Sequence, residues 1–127
     1  MKRRFLTRLA LILGALAVVG VATTASAHHS YAMFDREHEV SFKGVVRKLE
    51  WTNPHVYFLV EAPDPKGVVH AYTIEAASVN KMVRAGWKAN TVKVGETVTF
   101  TIYPFRDGKP GGMLVSITQE NGTVHKA

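Results

Sequence analysis

The sequence of 127 residues contains no cysteine. This absence excludes disulfide bonds, thiol redox chemistry and attachment of a lipid to a cysteine after export. Small exported domains often depend on disulfides for stability. The core of this chain must therefore be stable through packing alone.

The sequence also lacks an apolar run long enough to cross a membrane comfortably, which takes about 20 residues. An unbroken run of small and apolar residues covers only residues 9–22. Residues 1–8 before it carry four basic side chains and no acidic one, and residues 25–27 after it read Ala-Ser-Ala. A basic start, an apolar middle and an Ala-x-Ala end are the three parts of a secretory signal peptide. We therefore predict cleavage after Ala27 and a periplasmic location; a membrane anchor is the alternative interpretation.

Residues 28–127 carry no strong net charge of either sign. The formal net charge is +6, but residues 1–27 hold four of the 16 basic residues and none of the ten acidic ones. The other basic residues are scattered, which argues against a nucleic-acid partner. Motifs for a nucleophile elbow, a phosphate-binding loop and a metalloprotease helix are also absent. This pattern favours a binding protein over an enzyme.

Residues 40–127 have the composition and spacing of a small, mainly β protein. Stretches rich in β-branched and aromatic residues, separated by turn-forming residues, predict five strands. Ser78 is a suitable N-cap for a short helix between strands three and four. Three strands, a helix and two strands are the order of an OB-like barrel, whose closure removes exposed sheet edges; a small β-sandwich is the alternative. The predicted strands cover residues 40–49, 55–61, 68–76, 97–103 and 113–119, with a short sixth strand at 123–124.

Residues 28–39 precede the first strand and are mostly polar. Tyr31, Met33 and Phe34 are the large apolar exceptions. We predict an N-terminal arm that docks through these three side chains. The predicted organisation is then a signal peptide at 1–27, an arm at 28–39 and an OB-like barrel at 40–127.

The register of strands two and three depends on the turn between them. If a turn at residues 64–67 centres the hairpin, His55 lies opposite Ala76 and His70 lies opposite Glu61. His70 and Glu61 are then expected to form a surface pair across the strands. The same register predicts a core face with Val56, Phe58, Val60, Ala71 and Thr73, and an outer face with Tyr57, Leu59, Tyr72 and Ile74.

Histidine is abundant, with six residues, and this invites a metal-site interpretation. Cleavage after Ala27 makes His28 the first residue, so its α-amine and its imidazole can chelate one ion. A further imidazole completes a three-nitrogen set that suits Cu(II). His55 is the candidate for it, because it follows a rigid Asn-Pro step at the start of a strand. His29 is a substitute for His28, and cleavage after Ala25 instead places His28 third from the amine, which also chelates Cu(II) or Ni(II).

Two other functions stay open from the residues alone. Chain termini fray, and a histidine at a strand end often bonds only to a nearby carbonyl. The chain is then a metal-free structural or interaction module that docks on another exported or membrane protein through its outer aromatic face or a loop. A copper oxidoreductase is the third interpretation and needs an open coordination position and a substrate cleft. Trp51 and Trp87 are expected in the core rather than at a ligand site.

Several strings make the chain similar to a known family. HHSYAMFD at 28–35 and WTNPH at 51–55 resemble an exported bacterial family, domain of unknown function family 6152, and the strings at 84–87, 94–96 and 107–112 fit it too. The resemblance covers nearly the whole predicted mature chain. It implies a periplasmic location and a compact β-barrel. It implies no activity, so it transfers no catalytic residue.

Overall fold

Residues 31–127 are described by the computed structural model, in which strands and a helix follow in the predicted order. The predicted signal peptide and both His28 and His29 lie outside these residues. Within residues 31–127, no helix is both long and apolar enough to cross a membrane. The compact unit that carries the elements runs from Met33 to Ala127. The elements are β1 (Val40–Glu50), β2 (Tyr57–Pro63), β3 (Val69–Glu75), α1 (Val79–Arg84), β4 (Thr97–Pro104), β5 (Gly111–Thr118) and β6 (Val124–Lys126).

The first five strands close into a barrel. Antiparallel pairing joins β3 to β2, β2 to β1, β1 to β4 and β4 to β5. A parallel pairing between β3 and β5 completes the circuit, and β6 pairs with β5 outside it. A closed five-stranded barrel with its helix between β3 and β4 confirms the predicted OB-like fold.

Alternate residues of each strand fill the interior of the barrel. Phe58 and Val60 of β2 and Phe100 and Ile102 of β4 are each at most 2% exposed. This alternation follows from the two-residue side-chain period of a strand. Phe58 and Phe100 meet edge to face, with ring centroids 6.0 Å apart. The buried set therefore determines which residues of the same strands point outward.

Helix α1 packs on the barrel core through the fully buried Met82. Its start is capped as predicted, because the Ser78 hydroxyl oxygen accepts a hydrogen bond from the backbone N–H of Lys81 at 3.4 Å. Trp87 follows the helix, is 2% exposed and donates from Nε1 to the carbonyl of Lys126 at 2.7 Å. The predicted core position of Trp87 is confirmed, and Trp51 is partly buried against the same core.

The segment before β1 is anchored by Phe34. This residue is 1% exposed, and its ring stacks on that of Phe105 with centroids 5.3 Å apart. Beside it, the backbone N–H of Arg106 donates to the carbonyl of Met33 at 2.9 Å. Tyr31 and Met33 are about half exposed. Of the three apolar side chains predicted to dock the arm, Phe34 is thus the one that is buried.

The β2–β3 hairpin has a different register from the predicted one. The backbone N–H of Asp64 donates to the carbonyl of Val68 at 2.8 Å, which leaves a loop of residues 65–67. Gly67 ends this loop in the left-handed conformation, with φ 83°. A three-residue hairpin loop needs such a residue at its last position, and glycine adopts it at little cost. The prediction assumed a shorter turn, and the extra loop residue shifts the pairing by one.

This shift reverses the two faces of β3, because side chains alternate along a strand. Ile74 is fully buried and Tyr72 packs against the core, so the predicted outward position of both is wrong. Ala71 and Thr73, which were predicted in the core, are exposed.

The predicted pair of His70 with Glu61 is wrong for the same reason. His70 lies opposite Ala62, and its Nε2 bonds to Asp64 Oδ2 at 2.9 Å. Glu61 instead accepts a hydrogen bond from Arg47 Nε at 2.7 Å.

The barrel closes where β3 meets β5, and Gly111 makes this approach possible. Gly111 pairs with Thr73 and has a φ of 131°. A Cβ added to Gly111 would lie 2.0 Å from the carbonyl oxygen of Thr73. The absence of a side chain at this position lets the two strand backbones pack together.

Candidate metal-binding site

His55 lies two residues before β2 and is held in place by its neighbours in the chain. The preceding Asn53-Pro54 bond is cis, and Asn53 Oδ1 accepts a hydrogen bond from the backbone N–H of Val79 at 3.0 Å. Val56 on the other side is fully buried, and its backbone N–H donates to the carbonyl of Ala77 at 3.0 Å. Since Val56 points into the core, His55 points outward from the barrel wall.

The imidazole of His55 uses Nδ1 to bond to the end of β3. Nδ1 lies 3.1 Å from the carbonyl oxygen of Ala76 and 3.3 Å from Glu75 Oε1. Because the carbonyl oxygen only accepts hydrogen bonds, Nδ1 carries a proton. The His55 side chain is 36% exposed, and its ring meets Tyr57 edge to face with centroids 6.3 Å apart. In the neutral ring, the lone pair that can bind a metal is therefore on Nε2.

Glu75 is a neighbour of Tyr57 as well as of His55, because Tyr57 and Glu75 pair across β2 and β3. Burial raises the pKa of Tyr57, and the charges of Glu75 and Glu50 raise it further. Tyr57 is therefore a neutral phenol at ordinary pH. The Glu75 side chain is 16% exposed, so its carboxylate is largely shielded from solvent.

These residues belong to a line of side chains across the outside of the barrel. Glu50 pairs with Tyr57, Tyr57 with Glu75, Glu75 with Met113 and Met113 with Tyr103. Residues paired across strands stand on the same face of a sheet, and the inward face here is occupied by the core residues. We call this line the outer row, and it consists of Glu50, Tyr57, Glu75, Met113 and Tyr103.

The outer row leads toward the segment before β1. The guanidinium carbon of Arg36 lies 6.0 Å from the ring centroid of Tyr103, at the end of the row. This geometry is within the range of a cation–π contact. Arg36, in the segment before β1, thus lies at the Tyr103 end of the outer row.

The other described histidines have partners away from the outer row. His70 Nε2 bonds to Asp64, His125 Nε2 donates to Gln119 Oε1 at 3.0 Å, and His38 Nδ1 lies 2.9 Å from Asp35. The predicted ligands His28 and His29 lie outside the described residues. Within residues 31–127, no group of three His, Cys, Asp or Glu side chains is close enough to hold a metal ion.

A cleft of about 520 Å³ lies at the turn end of the β2–β3 hairpin. Its wall includes Tyr72, whose ring stacks on Phe42 with centroids 4.5 Å apart, and the His70 side chain. His55 does not line this cleft. The two ends of the hairpin therefore present different surfaces.

Sequence reasoning identified His55 but missed Glu75 and Met113. The pairing of Tyr57 with Glu75 depends on the three-residue hairpin loop, for which Gly67 three positions after Asp64 is a signal. The neighbour relation of Glu75 and Met113 comes from the parallel β3–β5 pairing. No local pattern indicates that pairing, because it joins strands that are distant in the sequence.

Searches of curated proteins and of solved structures give no significant match to this chain. The family model of DUF6152, described as a family of unknown function, matches residues 15–116. The match covers most of the barrel and includes the predicted motif at residues 51–55. The chain therefore belongs to the DUF6152 family of unknown function.

Proposed function

We propose that this chain is an exported, periplasmic copper-binding protein that holds Cu(II) through His55 and its processed N-terminus. The observation that carries the proposal is the hydrogen bond from His55 Nδ1 to the Ala76 carbonyl oxygen, 3.1 Å long. This bond leaves Nε2 as the ligand atom of the ring. Metal-binding histidines commonly donate their other ring N–H to a carbonyl or a carboxylate in this way.

Glu75 supports the proposed ligand role of His55. Its Oε1 lies 3.3 Å from His55 Nδ1. A carboxylate next to the ring N–H increases the basicity of the opposite nitrogen and fixes the ring orientation. Its negative charge also favours a cation close by. Glu75 and His55 are thus the carboxylate and the histidine of a proposed carboxylate–histidine–metal arrangement.

The other ligands of the proposed site come from His28. After cleavage behind Ala27, the α-amine and the imidazole of His28 chelate the ion, and His55 adds the third nitrogen. A nitrogen-rich tetragonal set of this kind suits Cu(II). The amine binds without its proton, and its ordinary pKa of about 7.7–8.0 allows this near neutral pH. His29 is the substitute for His28 in this scheme.

The test is calorimetric titration of Cu(II) into processed protein isolated from the periplasm, with its first residue verified by intact mass. His28→Ala and His55→Ala should each lower the affinity at least about tenfold. His70→Ala is the matched control, because His70 is also bonded to a carboxylate and its side chain is 40% exposed against 36% for His55. The control should bind like the unchanged protein.

The proposal fails in two ways. Equal binding by the unchanged protein and all three variants means that none of His28, His55 and His70 is a specific ligand. Intact mass that includes residues 1–27 means that the amine of His28 is never formed.

A metal-free interaction module is the second candidate, and exposed apolar side chains favour it. Val68 and Val69 beside the hairpin turn are 54% and 62% exposed, and Val40 at the start of β1 is 44% exposed. Apolar surface of this kind often serves a protein partner. Binding of a purified partner that is unchanged by a chelator and abolished by Val69→Asp would favour this function over copper binding.

A further inference from the structure

The first half of β3 is paired on one side only. β3 pairs with β2 from Val69 to its end, without a shift of register, but with β5 only from Thr73 onward. The backbone N–H of Thr73 donates to the carbonyl of Pro110 at 3.3 Å, on the side away from β2. Backbone groups alternate in direction along a strand, so the N–H and C=O groups of Val69 and Ala71 point to that same side. Among the described residues, neither has a backbone partner there. We call these four groups the free edge.

Pro110 explains why the pairing of β3 with β5 stops at Thr73. The next bond of a parallel ladder would run from the N–H of residue 110 to the carbonyl oxygen of Ala71. Proline has no N–H, so this bond is not formed. Val69 is 62% exposed and Ala71 is also exposed. The free edge is therefore accessible to another chain.

The cleft of about 520 Å³ adjoins the free edge. Residues 108–111 line it together with His70 and Tyr72, which are the β3 residues that alternate with those of the free edge. Tyr72 packs against the core and stacks on Phe42, which also lines the cleft. A strand added at the free edge would therefore alternate its side chains between the solvent and this cleft.

The wall of the cleft suits an apolar side chain. Its aromatic rings offer apolar surface, and its charged groups have partners of their own. Asp64 Oδ2 is 2.9 Å from His70 Nε2, and Lys109 Nζ is 3.4 Å from Asp107 Oδ2. An ionised ligand group would have to compete with these pairs, whereas an apolar one would not.

We propose that the free edge binds an extended peptide segment of a protein partner by β-addition, with a large apolar side chain of that peptide in the cleft. Main-chain hydrogen bonds supply affinity in this mode, and a pocket for alternate side chains supplies specificity. Val68 and Val69, 54% and 62% exposed, add apolar surface beside the edge. The inference deepens the metal-free interaction function and rests on it, and it involves neither His55 nor the N-terminus.

The probe is a synthetic peptide in which threonine and valine alternate around one phenylalanine, with a charged residue at each end. Amide hydrogen exchange of the processed protein, followed by NMR, detects its binding. In the free protein the amides of Val69 and Ala71 should exchange faster than those of His70 and Tyr72, which point toward β2. Saturating peptide should slow the exchange of Val69 and Ala71 at least about tenfold.

Ala71→Pro tests the free edge from the side of the protein. Its N–H makes no bond to β2, so proline removes a donor from the edge and leaves the β2–β3 ladder complete. The variant should lower the peptide affinity at least about tenfold. Ala71→Val is the matched control, because it changes the same side chain but keeps the N–H, and it should bind like the unchanged protein. Circular dichroism checks the fold of both variants.

Changes to the peptide test the same edge without altering the protein. An added strand pairs through alternate backbone nitrogens, so methylation of one alternate set should abolish binding and methylation of the other set should preserve it. Replacement of the phenylalanine by serine should lower the affinity at least about tenfold, because the cleft then receives no apolar side chain.

Three results would overturn the inference. The first is a probe peptide that does not bind, or that binds equally after Ala71→Pro or after either methylation. The second is a dimer of the unliganded protein that Ala71→Pro dissociates, measured by sedimentation, because the edge then belongs to a second copy of this chain. The third is binding of a protein partner that Val69→Asp abolishes and Ala71→Pro preserves, which leaves the interaction function standing without β-addition.

Discussion

Two histidine–carboxylate pairs occupy opposite ends of the β2–β3 hairpin, and they are built differently. At the turn end, Asp64 Oδ2 accepts from His70 Nε2 at 2.9 Å, while its Oδ1 accepts from the backbone N–H groups of Lys66 and Val68. At the open end, His55 uses Nδ1 for Ala76 and Glu75. The pair of His70 and Asp64 thus completes the hydrogen bonding of the hairpin loop. The pair of His55 and Glu75 instead orients the imidazole ring of His55.

The difference shows that residue type alone does not define a ligand. Both histidines are partly exposed, and both have a carboxylate partner. His70 has its Nε2 occupied and keeps only Nδ1, the nitrogen nearer the backbone. His55 keeps Nε2, the outer nitrogen of the ring, which a metal or a partner reaches more easily. Four predictions test this contrast.

The largest effect is expected at the seam, the contact of β3 with β5 that places Glu75 at the open end. Gly111→Ala places a Cβ against the Thr73 carbonyl oxygen and should separate β3 from β5, which disrupts the placement of Glu75 beside Met113. We expect a loss of about 3 kcal/mol or more in the free energy of unfolding, measured by chemical denaturation. Gly108→Ala is the control, since it has a φ of 78° but nothing within 4 Å of its added Cβ, and should cost only about 1–2 kcal/mol. Equal losses in the two variants would mean that the close approach at the seam is not a constraint.

The second prediction concerns replacement of one carboxylate by an amide at each end of the β2–β3 hairpin. Glu75→Gln should lower the Cu(II) affinity about tenfold, because the loss of a carboxylate behind a ligand histidine weakens the metal site. Asp64→Asn should leave the affinity unchanged, because His70 is not a ligand in the proposed site. Calorimetry on both variants measures the difference. A larger loss of Cu(II) affinity in Asp64→Asn than in Glu75→Gln would mean that His70, and not His55, belongs to the metal site.

The third prediction concerns acid stability at the turn end. The hydrogen bonds from His70 and from the Val68 and Lys66 backbone lower the pKa of Asp64 below 3.8. A lowered pKa in the folded state stabilises the fold above the unfolded pKa, and this contribution disappears as the pH falls through the folded value. The Tm of Asp64→Asn should therefore decline less steeply than that of the unchanged protein below about pH 4. The residual decline is attributable to Asp35 and Asp107, whose pKa values are also lowered. Parallel Tm curves for the two proteins would contradict the role of Asp64.

The smallest effect is expected on the phenol at the open end. Burial raises the pKa of Tyr57 above 10.0, and Glu75 adds to this. Glu75→Gln should lower that pKa toward 10.0 without fully reaching it, because the burial remains. Ultraviolet titration of phenolate measures the shift, and Tyr57→Phe assigns the signal. Asp64→Asn should not move it, and an equal shift in that variant would show that the two ends are not independent.

The fold was predictable to a large extent, because strand alternation and turn residues are local. The positions of β1 and β4 agree with the predictions to within one residue, and the Ser78 cap was predicted from residue type. The faces of β3 were predicted incorrectly, since one additional loop residue before Val68 reversed them. Local patterns therefore determine the elements well but leave the register open to a single-residue error.

The sequence by itself determined that the chain forms a small OB-like barrel with a short helix, and it identified His55 as a residue exposed at a strand start. Only the tertiary structure decided which nitrogen of His55 is bonded and which side chains lie next to it. Glu75 faces Tyr57 through the hairpin loop, and Met113 pairs with Glu75 through barrel closure. The physical reason is that periodicity and turn chemistry act over a few residues, while the pairing of β3 with β5 is set by the geometry of closing five strands into one wall.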